Sequence, residues 1–495
     1  MQVVLQKCNN QLKHFDTALH ASIQSAPVSV GRSYWHDRIV SGHLYKFINS
    51  EENTMKKIVL SLAGVMAAVA FAPEASAIPA FARQTGMACS ACHYQHFPVI
   101  NGFGRAFKEG GFTMMGAEEK IEGEGLSIPA NLNLALVGYM SYAKTNGTTP
   151  GVTATTKDTN SGSLQIPQQV SLFAGGRVAE NIGFEAEINI AGPGTTLPIA
   201  TGTGLIRFKM PFVFDVAGVK AGVVPFSTGL GVADSMEVLN TGAVAVHAFN
   251  QSDMSAISAQ QYIGTATAAN GAALVASNDS FFANVAKWGA SQGVGASGGP
   301  TSNYVRGAYL TSAIPGFDSA IGFQSWSGTS VQDGTAATGL PLLSANGAVA
   351  TRAAAIDAQM LGDVAGMPLT LVASFADAPG SANAASVNLF NQGLLSRRSA
   401  NFGAELGVIP NVATVQFGLR RAYSGVQDAA TGANLTDNAV MLGATYAFAL
   451  NVRAELTYSR YSGGMYSAAQ QQAQIAAAGA YMGNQQIMMD LAFGF

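Results

Sequence analysis

Cys89-Ser90-Ala91-Cys92-His93 puts two thiols and an imidazole in one short stretch. C-x-x-C-H is the attachment motif of a c-type haem: the thiols form thioethers with the porphyrin vinyls, and the adjacent imidazole ligates the iron. Zinc needs four ligands. Past the export signal described below, the chain has no further cysteine, and His96 and His247 are its only other histidines. A thioredoxin-type C-x-x-C needs βαβ surroundings, and none is visible. The remaining alternatives are a structural disulfide or an empty motif. The expectation is one covalently bound haem c on Cys89, Cys92 and His93, with His93 as the residue that carries the redox chemistry.

The second axial position is less constrained. His96 and Met87 lie too close to His93 in sequence to reach the opposite haem face easily. Met114 and Met115 follow a predicted helix and two glycines, where a loop can return across the far side. His–Met ligation raises the reduction potential, which suits an acceptor for a weak reductant. His247 or an open site is the alternative, and core packing is the ordinary role of such methionines. Arg83, Arg105 and Lys108 are candidates to pair with haem propionates, with solvated surface charge as the ordinary reading of each.

The elements that must hold this motif begin with an export signal, because haem c is attached outside the cytoplasm. Met55-Lys56-Lys57 is a basic start, Ile58–Ala72 an apolar run and Ala75-Ser76-Ala77 a cleavage site. The run is too short to span a membrane as a helix. Residues 55–77 therefore read as a signal peptide. Residues 1–54 carry Cys8, Trp35 and four of the seven histidines without clear periodicity. Glu51-Glu52-Asn53 would be encoded by a purine run just upstream of Met55, so 1–54 is expected to be a mis-called upstream translation.

Residues 78–123 form the expected haem segment. Pro98 stands where a helix can begin. Ile100, Phe103 and Phe107 give that helix an apolar face, and Gly110-Gly111 end it. A segment this short rarely builds its own core, so something else must shield the haem.

Residues 124–495 supply the shield. Only 11% of the chain is charged, against about a quarter in soluble domains. It has 56 glycines and no apolar stretch of 20 residues. Period-two alternation recurs, with Phe184, Ala186, Ile188 and Ile190 opposite Glu185, Glu187 and Asn189, and Ile206, Phe208, Met210, Phe212 and Phe214 opposite Arg207 and Lys209. Short turns near 180–181, 216–218, 314–316, 363–366, 410–411 and 449–451 alternate with long Gly/Ala/Ser/Thr-rich loops. That is the pattern of an outer-membrane barrel. About fourteen strands are countable. The 228–301 loop has room for one more hairpin, giving about sixteen. Ile487, Met489, Leu491, Phe493 and Phe495 share one face of a terminal strand that ends on an aromatic residue.

The fold class is thus an all-β, porin-like transmembrane barrel of antiparallel strands, plugged or capped by a small α-helical monohaem cytochrome c segment. Glu185 and Glu187 are expected to pair with Arg207 and Lys209 across strands; a cation path through Glu185, Glu187 and Asp490 is the sharper alternative. The formal net charge of −3 and the lack of a basic stripe give no sign of nucleic-acid binding.

The stretch Ala80-Phe81-Ala82-Arg83-Gln84-Thr85-Gly86, then Cys89-x-x-Cys92-His93, Phe97-Pro98, Asn101-Gly102-Phe103-Gly104-Arg105-x-Phe107-Lys108 and Gly110-Gly111-Phe112-Thr113 resembles the fused monohaem cytochrome–porins of the outer membrane. That family acts as Fe(II) oxidases in iron-oxidising bacteria. The residue match covers roughly 79–115; the barrel resembles the family in architecture. The resemblance implies haem ligation by Cys89, Cys92 and His93. It also implies oxidation of extracellular Fe(II), with electrons passed to a periplasmic c-type cytochrome or copper protein. One haem serving both sides of an apolar band about 25 Å tall is expected to lie in the lumen or on its periplasmic side. An outward conduit, an oxidase of another donor and a diffusion porin with a structural haem plug are the alternatives.

Overall fold

The computed structural model describes residues 79–116, 118–130, 133–147, 160, 162–191, 204–242, 258–292, 299–331, 348–381, 387–478, 481 and 483–495. The 1–54 extension, the signal peptide and His247 lie outside them. No helix among the described residues is long and apolar enough to cross a membrane.

Sixteen antiparallel strands close into one barrel. They are β1 (Leu134–Thr145), β2 (Ser163–Ala179), β3 (Ile182–Ala191), β4 (Leu205–Lys209 continued by Phe212–Val216), β5 (Val219–Thr228), β6 (Ala269–Ser277), β7 (Phe281–Gly289) and β8 (Ser302–Thr311). The second half comprises β9 (Phe317–Ser327), β10 (Ala353–Val364), β11 (Met367–Ala378), β12 (Arg397–Ile409), β13 (Ala413–Gln427), β14 (Asn434–Thr436 continued by Asn438–Ala449), β15 (Val452–Ser462) and β16 (Gln485–Gly494). The extra hairpin expected within 228–301 is β6–β7. β16 pairs with β1, Leu491 opposite Met140, and Phe495 exchanges two backbone hydrogen bonds with Leu136 to finish the seam. The first barrel strand starts at Leu134; a small exposed hairpin, Lys120–Gly123 with Leu126–Pro129, precedes it.

The period-two pattern sorts side chains as the sequence implies. Leu274, Ile321 and Leu442 stand 64%, 61% and 55% exposed on the outer face. So much exposed apolar surface is stable only against lipid. Inward positions carry the charge: Lys209, Arg306, Asp357, Glu405 and Asp490 are all buried. β4 breaks at Met210-Pro211 because proline cannot donate to a ladder.

Among the described segments that enter the lumen, two bear on the motif. Residues 229–242, following β5, fold inward: Asn240 N–H donates to Gln359 Oε1 (2.7 Å) and Thr241 Oγ1 donates to Asp357 Oδ1 (2.5 Å). Trp288, Tyr304, Trp326, Met236, Leu239 and Phe390 pack there as a buried cluster. The other segment is 79–116. It contains helix α1 (Pro79–Thr85), a 3-10 turn (Cys89–Ala91) and helix α2 (Gly102–Glu109). Helix α2 starts at Gly102, with Asn101 as its N-cap accepting from Gly104 N–H at 2.9 Å. Pro98, expected at the helix start, instead lies in the return loop between His93 and Ile100. Phe103 points out, 36% exposed, while Phe107 is buried, so the apolar face is narrower than its spacing implies.

Candidate haem site at the short-turn mouth

The 79–116 segment is tied around the barrel end that carries the short turns. Arg83 Nη1 donates to the Leu134 carbonyl at the start of β1, and Tyr94 donates its hydroxyl to Gly362 O on β10. Gln95 Nε2 donates to Pro368 O (2.7 Å) at the start of β11. His96 Nε2 lies 2.6 Å from Glu405 Oε1 on β12. Arg105 Nη1 pairs with Asp318 Oδ2 on β9 at 2.9 Å, and Arg453 Nη1 on β15 donates to Phe97 O at 2.7 Å. Ile100 exchanges two hydrogen bonds with the Asn240 side chain of the inward loop. Gly183 on β3 lets the plug come close, since a β-carbon there would lie 2.0 Å from Gly111 O.

Inside this frame the C-x-x-C-H motif is folded tightly. Residues 93–100 double back: Tyr94 N–H donates to Val99 O (2.8 Å) and Asn101 N–H to Cys92 O (3.0 Å). Helix α2 lies directly on the motif. A β-carbon on Gly104 would sit 2.2 Å from Cys92 O, so only glycine fits. His93 Nδ1 is 3.2 Å from Val99 O. A carbonyl only accepts, so Nδ1 carries the proton and Nε2 keeps its lone pair, the arrangement of a metal-ligating histidine. Burial pulls the His93 imidazole down to about 4, outweighing the hydrogen bond to Val99, so the ring is neutral at physiological pH. No disulfide joins Cys89 and Cys92. Burial, with Cys89 alongside, raises the Cys92 thiol.

These three side chains line one cavity of about 1630 Å³, a figure that includes its part open to solvent. Phe81, Phe107 and Phe112 line it, with ring centroids 5.1–5.8 Å apart. Its other wall is the barrel itself: Val137 and Tyr139 of β1, Gln169, Ser171 and Phe173 of β2, Glu185 and Glu187 of β3, Arg207 of β4. Asp234, Glu237 and Leu239 of the inward loop close it from the lumen. A second space of about 860 Å³, again partly open, lies among the short turns around Asn411, Leu450 and Asn451. Cys89, His93, Phe97, Val137 and Tyr139 line both. Two thiols, an imidazole with a free nitrogen and an apolar slot together fit a haem c.

The other sequence candidates are placed differently. Met114 and Met115 are not among the residues lining either cavity; Met114 is 37% exposed and its carbonyl accepts from Gln84 Nε2. Met87 does line the larger cavity. His96 is committed to Glu405. Arg83 and Arg105 are committed to the barrel wall, whereas Lys108 lines the cavity. Glu185 and Glu187 meet Lys209 and Arg207 in register. Arg207 also reaches Asp234 at 2.8 Å, and Lys209 reaches Asp234 at 3.4 Å. The expected cross-strand ion pairs therefore form, with Asp234 as a member that alternation in the strands could not reveal. Among the described residues no group of three or more His, Cys, Asp or Glu side chains is arranged to hold a metal ion.

No protein-family model and no curated protein matches the chain. Among solved structures, OmpF of Salmonella typhi in complex with daunomycin is 13% identical, covering 76% of this chain and 100% of that one at a TM-score of 0.43. The outer-membrane channel DcaP of Acinetobacter baumannii is 11% identical, over 74% and 97% of the two chains, at 0.42. An anion-selective porin from Comamonas acidovorans is 12% identical, over 73% and 99%, at 0.38. The sixteen-stranded barrel rests on its own strand pairing.

Proposed function

We propose that this chain is an outer-membrane cytochrome–barrel fusion that takes electrons from extracellular Fe(II) and hands them, through one haem c at the short-turn mouth, to a soluble periplasmic carrier. The carrier is a c-type cytochrome or a copper protein. The observation that supports this reading is that Cys89, Cys92 and His93 line one cavity together with the phenylalanines of their own segment, barrel strands and the inward loop.

When bound, haem c supplies a one-electron acceptor. The chain's own residues do the rest. Cys89 and Cys92 anchor covalently. His93 offers Nε2, its ring oriented by Val99. The phenylalanine trio keeps water from the slot. The second space reaches the same motif from the short-turn side, which gives a periplasmic partner an approach. Keeping the donor outside keeps poorly soluble Fe(III) outside. Tryptophan and phenylalanine packing in the described lumen weighs against free diffusion through the barrel as the main task.

The test is anoxic. Outer membranes carrying the oxidised protein are mixed with Fe(II), and the haem bands are followed by stopped-flow. Saturable reduction that disappears in His93→Ala supports the reading. Reduction by dithionite but not by Fe(II) moves the assignment to another donor or to outward flow.

A further inference from the structure

Among the charged side chains that line the cavity, Glu185, Glu187, Asp234 and Glu237 outnumber Arg207 and Lys108, so what distinguishes each cation is its direct partner. Arg207 stands against Glu187 (3.0 Å) and Asp234 (2.8 Å), and Lys209 against Glu185 (3.3 Å). Glu237 stands 3.1 Å from Arg306, which also holds Asp357 at 2.6 Å. Arg83 and Arg105, the cations nearest the motif in sequence, are taken up by Leu134 O and Asp318. Lys108 is different. It lies on α2, lines the same cavity as Cys89, Cys92 and His93, and makes no ion pair or side-chain hydrogen bond among the described residues. Glu185, Asp234 and Glu237 act on its ammonium from a distance, and none of them pairs with it directly.

Resting on the haem reading above, we propose that Lys108 is the partner of the porphyrin's propionate carboxylates, and that Arg83 and Arg105 serve only to fasten the plug to the barrel. The porphyrin carries its propionates on the edge opposite its vinyl groups. Thioethers at Cys89 and Cys92 and a carboxylate at Lys108 therefore fix the ring at two opposite edges. The acid edge would then lie toward α2, and Cys89, which also lines the space among the short turns, would hold the opposite edge. Burial, with Lys209 nearby, pulls the Lys108 ammonium down to about 8, against the opposing pull of Glu185, Asp234 and Glu237.

The test uses the full haem-loaded chain and two readouts that do not depend on Fe(II): the haem midpoint potential and the resonance-Raman propionate band. Lys108→Gln removes a positive charge beside the porphyrin, so the ferric state gains and the midpoint falls. The propionate band shifts, while covalent attachment and the His93 ligation bands stay as in the wild type. Lys108→Arg restores both potential and band; Arg83→Gln and Arg105→Gln move neither. An unmoved propionate band in Lys108→Gln overturns the assignment, as does a shift in Arg105→Gln equal to that in Lys108→Gln. If the wild-type chain carries no thioether-linked haem after denaturation, it is the haem reading that fails.

Discussion

His96 Nε2 lies 2.6 Å from Glu405 Oε1 on the barrel wall; although His96 is only three residues after His93, it does not line the cavity that Cys89, Cys92 and His93 share. Two histidines of one short loop thus have separate tasks: His93 faces the cavity and His96 fastens the loop to β12. Glu405 is buried and also accepts from Gln416 Nε2 at 2.9 Å. His96→Ala leaves that carboxylate short of one partner, at a cost of about 1–3 kcal/mol. The expected result is faster amide exchange in residues 93–100 with the haem axial-ligand spectrum unchanged. A spectrum that changes as it does in His93→Ala would make His96 a ligand.

Gly104→Ala is expected to abolish haem attachment while leaving the barrel intact. Its β-carbon would sit 2.2 Å from Cys92 O, so α2 must lift from the motif. The check is haem stain on denatured chain alongside heat-modifiable gel migration. Normal haem content with normal migration contradicts the packing described.

Glu109 gives the plug a pH dependence of definite sign. It is buried, with Oε1 unpartnered, and burial pushes its carboxyl up to about 7 against the pull of Arg105 and Lys220. A carboxyl raised in the folded state binds its proton more tightly there than in the unfolded chain, so docking weakens as pH climbs from about 4 through 7. Glu109→Gln should remove that slope and strengthen docking above neutrality by roughly 1–2 kcal/mol, allowing for partial solvation. Protease accessibility of residues 102–116 between pH 5 and 8 is the measurement, and identical profiles for the two proteins would refute it.

Asp357 holds two things at once: Arg306 Nη1 at 2.6 Å and Thr241 Oγ1 at 2.5 Å. Asp357→Ala leaves a buried guanidinium with Glu237 alone and frees the inward loop, a loss of about 3–5 kcal/mol. Lower barrel melting temperature and new ionic conductance in planar bilayers are expected. A variant as stable and as closed as the wild type would mean the loop is held by its apolar contacts.

The sequence alone determined what depends on spacing along the chain. The C-x-x-C-H motif, the period-two strands, the short turns and the terminal aromatic are local patterns; they imply a barrel of about fourteen countable strands, and the structure supplies the β6–β7 hairpin that makes sixteen. Pairing of Glu185 and Glu187 with Lys209 and Arg207 was legible because neighbouring antiparallel strands bring alternate residues into register. What the sequence could not hold is which cations meet which partners across long separations. Arg105 and Asp318 are 213 positions apart, and His96 and Glu405 are 309. No periodicity relates such residues; closure of the barrel does. For the same reason, only the tertiary structure turns Arg83 and Arg105 to the wall and Lys108 to the cavity, sets Met114 outside it and folds residues 229–242 into the lumen. The barrel supplies the walls that the short motif segment lacks, so the surroundings of the motif were decided by strands outside it: β1–β4, which line the cavity, and β9–β15, which tether the loop.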